Sequence, residues 1–197
     1  MISRISPVLA AVALLLAAVP TAAPAQDAGW YVGLGIGRAR SDDGCTGSAP
    51  PGITCNDKDT TWKIFGGYNI NAYLGVELGL VDLGERPAFV TGLGPATAKF
   101  RVFETLLVGT LPIGERFSIY GKAGIFQWDA DYSFAPGSAG GADSTGKDYT
   151  VGLGVKYHVY RNAAVRLEVQ RYNKVGDASM TGRFDVDVFA LGALVRF

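Results

Sequence analysis

The sequence predicts an all-β chain, an eight-stranded antiparallel transmembrane β-barrel of the up-and-down kind. Three observations carry this: an export signal with no later apolar run long enough for a membrane helix, eight segments of period-two hydrophobicity, and connections that are alternately short and long.

The N-terminus comes first. Met1 to Arg4 is positively charged, Val8 to Val19 is almost wholly apolar, and Ala23-Pro24-Ala25 supplies the small residues of a cleavage site. This is the pattern of a secretory signal peptide. Its apolar run has 12 residues, whereas a membrane-spanning helix needs about 20. The expected organisation is a signal peptide over 1–25 and a single β-barrel domain over 26–197. Every later apolar stretch is interrupted by glycine or charge. The mature chain is therefore either a soluble exported protein or a membrane β-barrel.

Alternation decides between them. Eight segments lie near 29–38, 59–70, 73–84, 97–111, 116–130, 148–160, 163–175 and 184–197. In the first, Trp30, Val32, Leu34 and Ile36 alternate with Tyr31, Gly33, Gly35 and Gly37. In the sixth, Tyr149, Val151, Leu153, Val155, Tyr157 and Val159 form one face and Asp148, Thr150, Gly152, Gly154, Lys156 and His158 the other. A strand separates these two sets completely, and a helix scatters them. In the seventh, Val165, Leu167 and Val169 alternate with Arg166, Glu168 and Gln170. A soluble sandwich also alternates, but its polar faces meet water and are seldom filled with glycine. Eight strands enclose a lumen just wide enough for side chains. Glycines there leave room for long charged ones.

The connections around Ile70–Ala72, Pro112–Glu115 and Arg161–Asn162 are short, and the other four are long and polar. Outer-membrane barrels have short periplasmic turns and long extracellular loops. An even strand count then puts both termini in the periplasm, with Phe134 to Gly146 expected as a mobile, exposed loop. Cys45 and Cys55, a close pair in an exported chain, are expected to form a disulfide in the first outer loop. The last segment places Phe189, Leu191, Ala193, Val195 and Phe197 at every second position. That ending resembles the terminal signal by which barrel-assembly machinery recognises its clients.

Several patterns imitate chemistry without its context. Gly141 to Asp148 nearly spells a phosphate-binding loop, but Asp148 stands where Ser or Thr is needed and a strand follows in place of a helix. Gly33, Gly35 and Gly37 lack the spacing of a dinucleotide fingerprint. His158 is the sole histidine, with no nucleophile or acid evident beside it. Asp42, Asp43, Asp57 and Asp59 could attract a divalent cation but read more simply as solvated. No catalytic residue, metal site or cofactor is expected. Formal net charge is zero with no basic run, so no nucleic-acid partner is expected either. Arg171, Lys99 and Arg101 fall near outer strand ends, where they could meet lipopolysaccharide phosphates.

Specific runs carry a family resemblance. The stretch from Phe65 to Gly79 (FGGYNINAYLGVELG) resembles the second hairpin of the OmpA-like transmembrane domain, and Gly109 to Gly114 (GTLPIG) its second periplasmic turn. Arg166 to Tyr172 (RLEVQRY) with Val175-Gly176-Asp177 resembles its seventh strand and last loop, and Trp30 to Gly33 its first strand. The resemblance implies an eight-stranded barrel with a polar, largely blocked lumen crossed by ion pairs. It puts Glu77, Lys122, Arg166 and Glu168 at interior charged positions, and strand parity places them inward independently. Parity adds Glu104 and Lys156, although the family's best-known member has an acid where Lys156 stands. Larger members continue into a peptidoglycan-binding domain, whereas this chain stops at Phe197 and is expected to do its work with the barrel and loops.

The function expected is structural or surface-interacting, in the outer membrane of a Gram-negative cell. Its partners would be outer-membrane lipid and lipopolysaccharide, the assembly machinery during biogenesis, and a host or surface ligand held by the loops. A small low-conductance pore is the alternative, since charged lining groups can tune an ion path. An outer-membrane enzyme is the weakest reading.

Overall fold

The computed structural model describes residues 28–41, 58–90, 94–134, 142–176 and 183–197. The segment 1–25 and the cysteines Cys45 and Cys55 lie outside the described residues, as do Asp42, Asp43 and Asp57. The strands are β1 (Gly29–Ser41), β2 (Lys58–Asn69), β3 (Leu74–Val90), β4 (Gly94–Pro112), β5 (Phe117–Phe134), β6 (Ala142–His158), β7 (Ala163–Val175) and β8 (Phe184–Arg196). Each pairs antiparallel with its neighbour in sequence, and β1 pairs with β8 to close the barrel. Closure leaves no strand edge unpaired, the condition for a sheet in lipid.

Hydrogen bonding inside the turns explains the short connections. Between β2 and β3 the Asn71 side chain accepts hydrogen bonds from the backbone N–H of Tyr73 at 2.8 Å and of Leu74 at 2.9 Å. Asparagine favours such turns because its carboxamide mimics a backbone carbonyl. Between β4 and β5, Gly114 takes a φ of +133°, which glycine alone adopts readily. Between β6 and β7, the Val159 N–H donates to the Ala163 carbonyl at 3.0 Å.

Outward and inward faces separate as the alternation requires. Trp30, Val32, Leu34 and Ile36 on β1, Val151 and Leu153 on β6, and Val165, Leu167 and Val169 on β7 are all exposed. A continuous exposed apolar belt of this kind is stable only against another apolar phase. Phe189, Leu191, Ala193, Val195 and Phe197 all face outward on it.

Two expectations are corrected. The connection between the third and fourth segments, expected to be long, is short, because residues 85–90 belong to β3 and 94–96 to β4. Of the loop expected from Phe134 to Gly146, Phe134 belongs to β5 and residues 142–146 to β6. Strands β3 to β6 run 17, 19, 18 and 17 residues, against 13, 12, 13 and 13 for β1, β2, β7 and β8. The four long strands form two adjacent hairpins, β3–β4 and β5–β6. They rise on one side of the barrel at the end opposite the chain termini. At about 3.3 Å per residue the excess is roughly 10–15 Å after tilt.

Candidate functional site

The lumen gathers the buried charges of the described residues, and it is built in three layers. The middle layer holds three carboxylates, Glu77 on β3, Glu104 on β4 and Glu168 on β7. Three cations face them, Lys63 on β2, Lys122 on β5 and Arg166 on β7. All six are buried. Arg166 Nη1 lies 2.7 Å from Glu77 Oε2, and its Nε lies 3.2 Å from Glu168 Oε2. Lys122 Nζ lies 2.7 Å from Glu168 and 3.5 Å from Glu77. Lys63 makes its closest contact with Glu104 and reaches Glu168 at 3.5 Å and Glu77 at 3.8 Å. Every cation therefore serves at least two carboxylates. Buried charges are tolerated when paired and hydrogen-bonded in this way, because each ion's lost hydration is replaced by fixed partners.

Neutral donors complete the layer. Tyr31 donates to Glu77 at 3.1 Å, Tyr120 to Glu168 at 2.9 Å and Tyr172 to Glu104 at 2.8 Å, one phenol for each carboxylate. Gln170 donates to Glu104 at 2.7 Å and accepts from Lys63 at 3.1 Å. The Arg166 guanidinium lies 3.4 Å from the centre of the Phe65 ring, a cation–π contact on its remaining face.

Above the charges, toward the long connections, the lumen turns apolar. Leu83, Phe100, Val102, Phe126, Trp128, Tyr172, Val175, Val186 and Val188 pack as one buried cluster. Phe126 stands edge-on to Tyr172 at 5.2 Å, and Phe100 edge-on to Phe184 at 5.7 Å. Below the charges, toward the turns, a smaller cluster joins Tyr31, Phe65, Ala164 and Leu194. The family resemblance implies a polar, largely blocked interior. The loop-end half is instead an aromatic plug.

Glycines make this filling possible. Tyr31 sits directly across from Gly67, Phe65 from Gly33, Tyr120 from Gly154 and Trp128 from Gly146. A Cβ at Gly154 would stand 2.5 Å from Tyr120 Cζ, and one at Gly146 would stand 2.6 Å from Trp128 Cζ2. Each ring lies over the bare backbone of its cross-strand partner, the arrangement by which an aromatic side chain covers a glycine. The lumen glycines thus seat rings as well as long charged chains. Gly79, whose Cβ would stand 2.7 Å from Glu104, is of the second kind.

Of the residues singled out from the sequence, Glu77, Glu104, Lys122, Arg166 and Glu168 share one network. Lys156 points inward but stands apart, its ammonium 5.6 Å from the Tyr120 ring and without an ion pair to any described residue. Sequence reasoning missed Lys63. The signal was available, because Trp62 and Ile64 are exposed on either side of it and alternation puts it in the lumen. His158 Nδ1 lies 3.3 Å from the Arg116 carbonyl oxygen, at the turn end. Among the described residues no cluster could hold a metal ion. Lys99 and Arg101 are engaged by Asp82, Glu85 and Asp131, and Arg171 by Asp187.

Comparison with known proteins agrees with this architecture. The chain is 34% identical over 192 residues to outer membrane protein A of Shigella flexneri, covering 95% of this chain and 54% of that protein. It is 34% identical over 188 residues to outer membrane protein A of Klebsiella pneumoniae, covering 91% of this chain and 54% of that one. The chain thus spans about half the length of the curated relatives it matches. Among solved structures it resembles Neisserial surface protein A, with a TM-score of 0.63 at 18% identity over 89% of this chain and 100% of that one. It also resembles OprG of Pseudomonas aeruginosa, with a TM-score of 0.60 at 21% identity over 86% of this chain and 96% of that one. These two likenesses show a shared fold. A family model matches residues 25–197, nearly the entire chain, and on that match the protein is a β-barrel of the bacterial outer membrane, a member of the OmpA-like transmembrane domain family.

Proposed function

We propose that the barrel is a closed, rigid mount whose work is done outside the lumen, by its lipid-facing wall and by the long connections. One observation carries this reading: the lumen is filled in its middle and in its loop-end half. Six buried charges lock the middle, and the plug from Leu83 to Val188 fills the loop-end half. The same filling weighs against a pore, because an ion would have to break the pairs and displace aromatic side chains as well. An enzymatic role has no support from the geometry, and the relatives are outer membrane proteins.

The orientation follows the strand lengths. The tall hairpins β3–β4 and β5–β6 and the long connections face outward from the cell, and both termini face the periplasm. Connections raised on tall strands are where recognition is built on a scaffold of this kind. The first connection would carry the Cys45–Cys55 disulfide, and residues 1–25 would direct export. The outward series Phe189, Leu191, Ala193, Val195 and Phe197, exposed on the wall, would serve the assembly machinery as a terminal signal.

The role is tested by replacing the connections β1–β2, β5–β6 and β7–β8 with short Gly-Asn turns. Barrel folding is followed by the heat-dependent gel shift, and retention of cells on a layer of extracellular-matrix proteins is measured. The expected result is an intact gel shift with retention lost. An intact shift with retention unchanged contradicts the reading.

A further inference from the structure

At the turn end of the lumen one buried cation stands outside the network. Lys156 is only 9% exposed, lies on the inward face of β6 and makes no ion pair with a described residue. The three carboxylates of the middle layer are already engaged by Lys63, Lys122, Arg166 and one phenol each. The Tyr120 ring, 5.6 Å from the Lys156 ammonium, softens its isolation, but the Tyr120 hydroxyl is given to Glu168. Of the charges that act most strongly on Lys156, those of Arg166, Arg196 and Lys122 are positive and that of Glu77 alone is negative. Ser118 lies directly opposite Lys156 on β5 and is likewise buried. Side chains so placed on one face have Cβ atoms about 4.5–5.5 Å apart, which makes the hydroxyl and the ammonium neighbours. Arg196 comes from β8, two positions beyond the inward Leu194 and on the same face. It and the inward His158 are only partly buried, so the lumen opens at this end, whereas the plug fills the other.

We infer that Lys156, Ser118 and Arg196 form a site for the phosphate group of a small soluble molecule that enters the lumen from the turn end. A buried ammonium loses its hydration and recovers it only through a counter-charge with hydrogen-bond acceptors. The donors converge from three strands, an ammonium from β6, a hydroxyl from β5 and a guanidinium from β8. A carboxylate offers them two oxygens and a halide none, whereas a phosphate offers three strong acceptors and a charge that strengthens each bond. The site faces the lumen, so a membrane lipid, whose chains lie against the outer wall, does not reach it. The locked charges above it bar further passage, so the group is held at the mouth and goes no deeper. That the ligand comes from the periplasm rests on the orientation proposed above; the site itself does not.

The test uses the full folded chain in dodecyl maltoside micelles, which carry no phosphate. Inorganic phosphate is titrated against chloride at constant ionic strength while backbone amide chemical shifts are recorded. Saturable shifts are expected at Ser118, Lys156 and Arg196. The K156M variant should bind about ten-fold more weakly with its heat-dependent gel shift retained. S118A, which removes only a hydroxyl, should bind about three-fold more weakly. R161Q, in the exposed β6–β7 turn, should bind as the parent does. Equal affinity of K156M and the parent overturns the site, and so do shifts that chloride reproduces or that never saturate. Glycerol 3-phosphate, titrated in the same way, separates the two sources of the group: the same saturable shifts assign a phosphate ester, and their absence assigns the free ion. An epitope inserted between Gly140 and Gly141 reads the orientation separately. Staining on intact cells supports the periplasmic source, and staining only after permeabilisation overturns that source while leaving the measured binding in place.

Discussion

Glu77 and Arg166 face each other from β3 and β7, four strands apart in a ring of eight, and their 2.7 Å contact spans the lumen from wall to wall. Tyr31, Lys122 and Lys63 also converge on Glu77, so this carboxylate ties five strands together. Glu77→Gln keeps the shape but leaves Arg166 and Lys122 short of countercharge. Breaking a buried pair by removing one partner costs about 3–5 kcal/mol. Urea unfolding in lipid vesicles should show a loss of that size, and an unchanged midpoint would mean that water already shields these charges.

Lys63 and Lys156 should behave in opposite ways although both are buried lumen lysines. Lys63 approaches all three carboxylates of the network, so Lys63→Met should destabilise by about 3 kcal/mol or more. Lys156 has no described carboxylate within pairing distance, and a buried ammonium without one carries an unrepaid desolvation cost. Lys156→Met should therefore be neutral or stabilising in the same unfolding measurement. A large loss would show that Lys156 has a partner that the described residues do not supply.

The contrast between these lysines also shows what could be read from the sequence. Strand number, pairing order and the inward set on β6 and β7 were legible because glycine or charge on one face opposes Val and Leu on the other. The plug was not. On β4 the inward Phe100, Val102, Leu106 and Val108 alternate with outward Phe103 and Leu107, so both faces are apolar and the period-two contrast vanishes. The extra height of β3 to β6 was hidden for the converse reason. Exposed Asp129 and Asp131 on β5 stand above the lipid belt, where an outward residue need not be apolar. Lys63 was legible but unread, because the alternation of Trp62 and Ile64 had to be followed through a segment rich in Thr, Lys and Gly.

The ring-on-glycine seats give a prediction with a built-in control. The atoms nearest to a Cβ at Gly146 all belong to the Trp128 side chain, so Gly146→Ala must push that ring. Overpacking of this kind costs about 1–3 kcal/mol. In a Trp128→Leu background the same alanine should cost little. Equal costs in the two backgrounds would show that the ring is not seated on the glycine.

The plug and the charged layer meet at Tyr172, which donates to Glu104 and stands edge-on to Phe126. Phe126→Ala should lose about 3–5 kcal/mol through the cavity it leaves. Tyr172→Phe should lose about 1–3 kcal/mol, since Glu104 then lacks one of its donors. If the two layers are coupled, the double variant will lose measurably less or more than the sum of the single variants. Strict additivity would make them independent fillings of one barrel.

The claim that the lumen is closed is met most directly by recording current across a planar lipid bilayer containing the purified, heat-modifiable barrel. The filled lumen predicts a trace that matches the protein-free lipid control. Recurrent current steps of uniform size, altered by Glu77→Gln or by Phe126→Ala, would place an ion path through the charges and the plug and contradict the account.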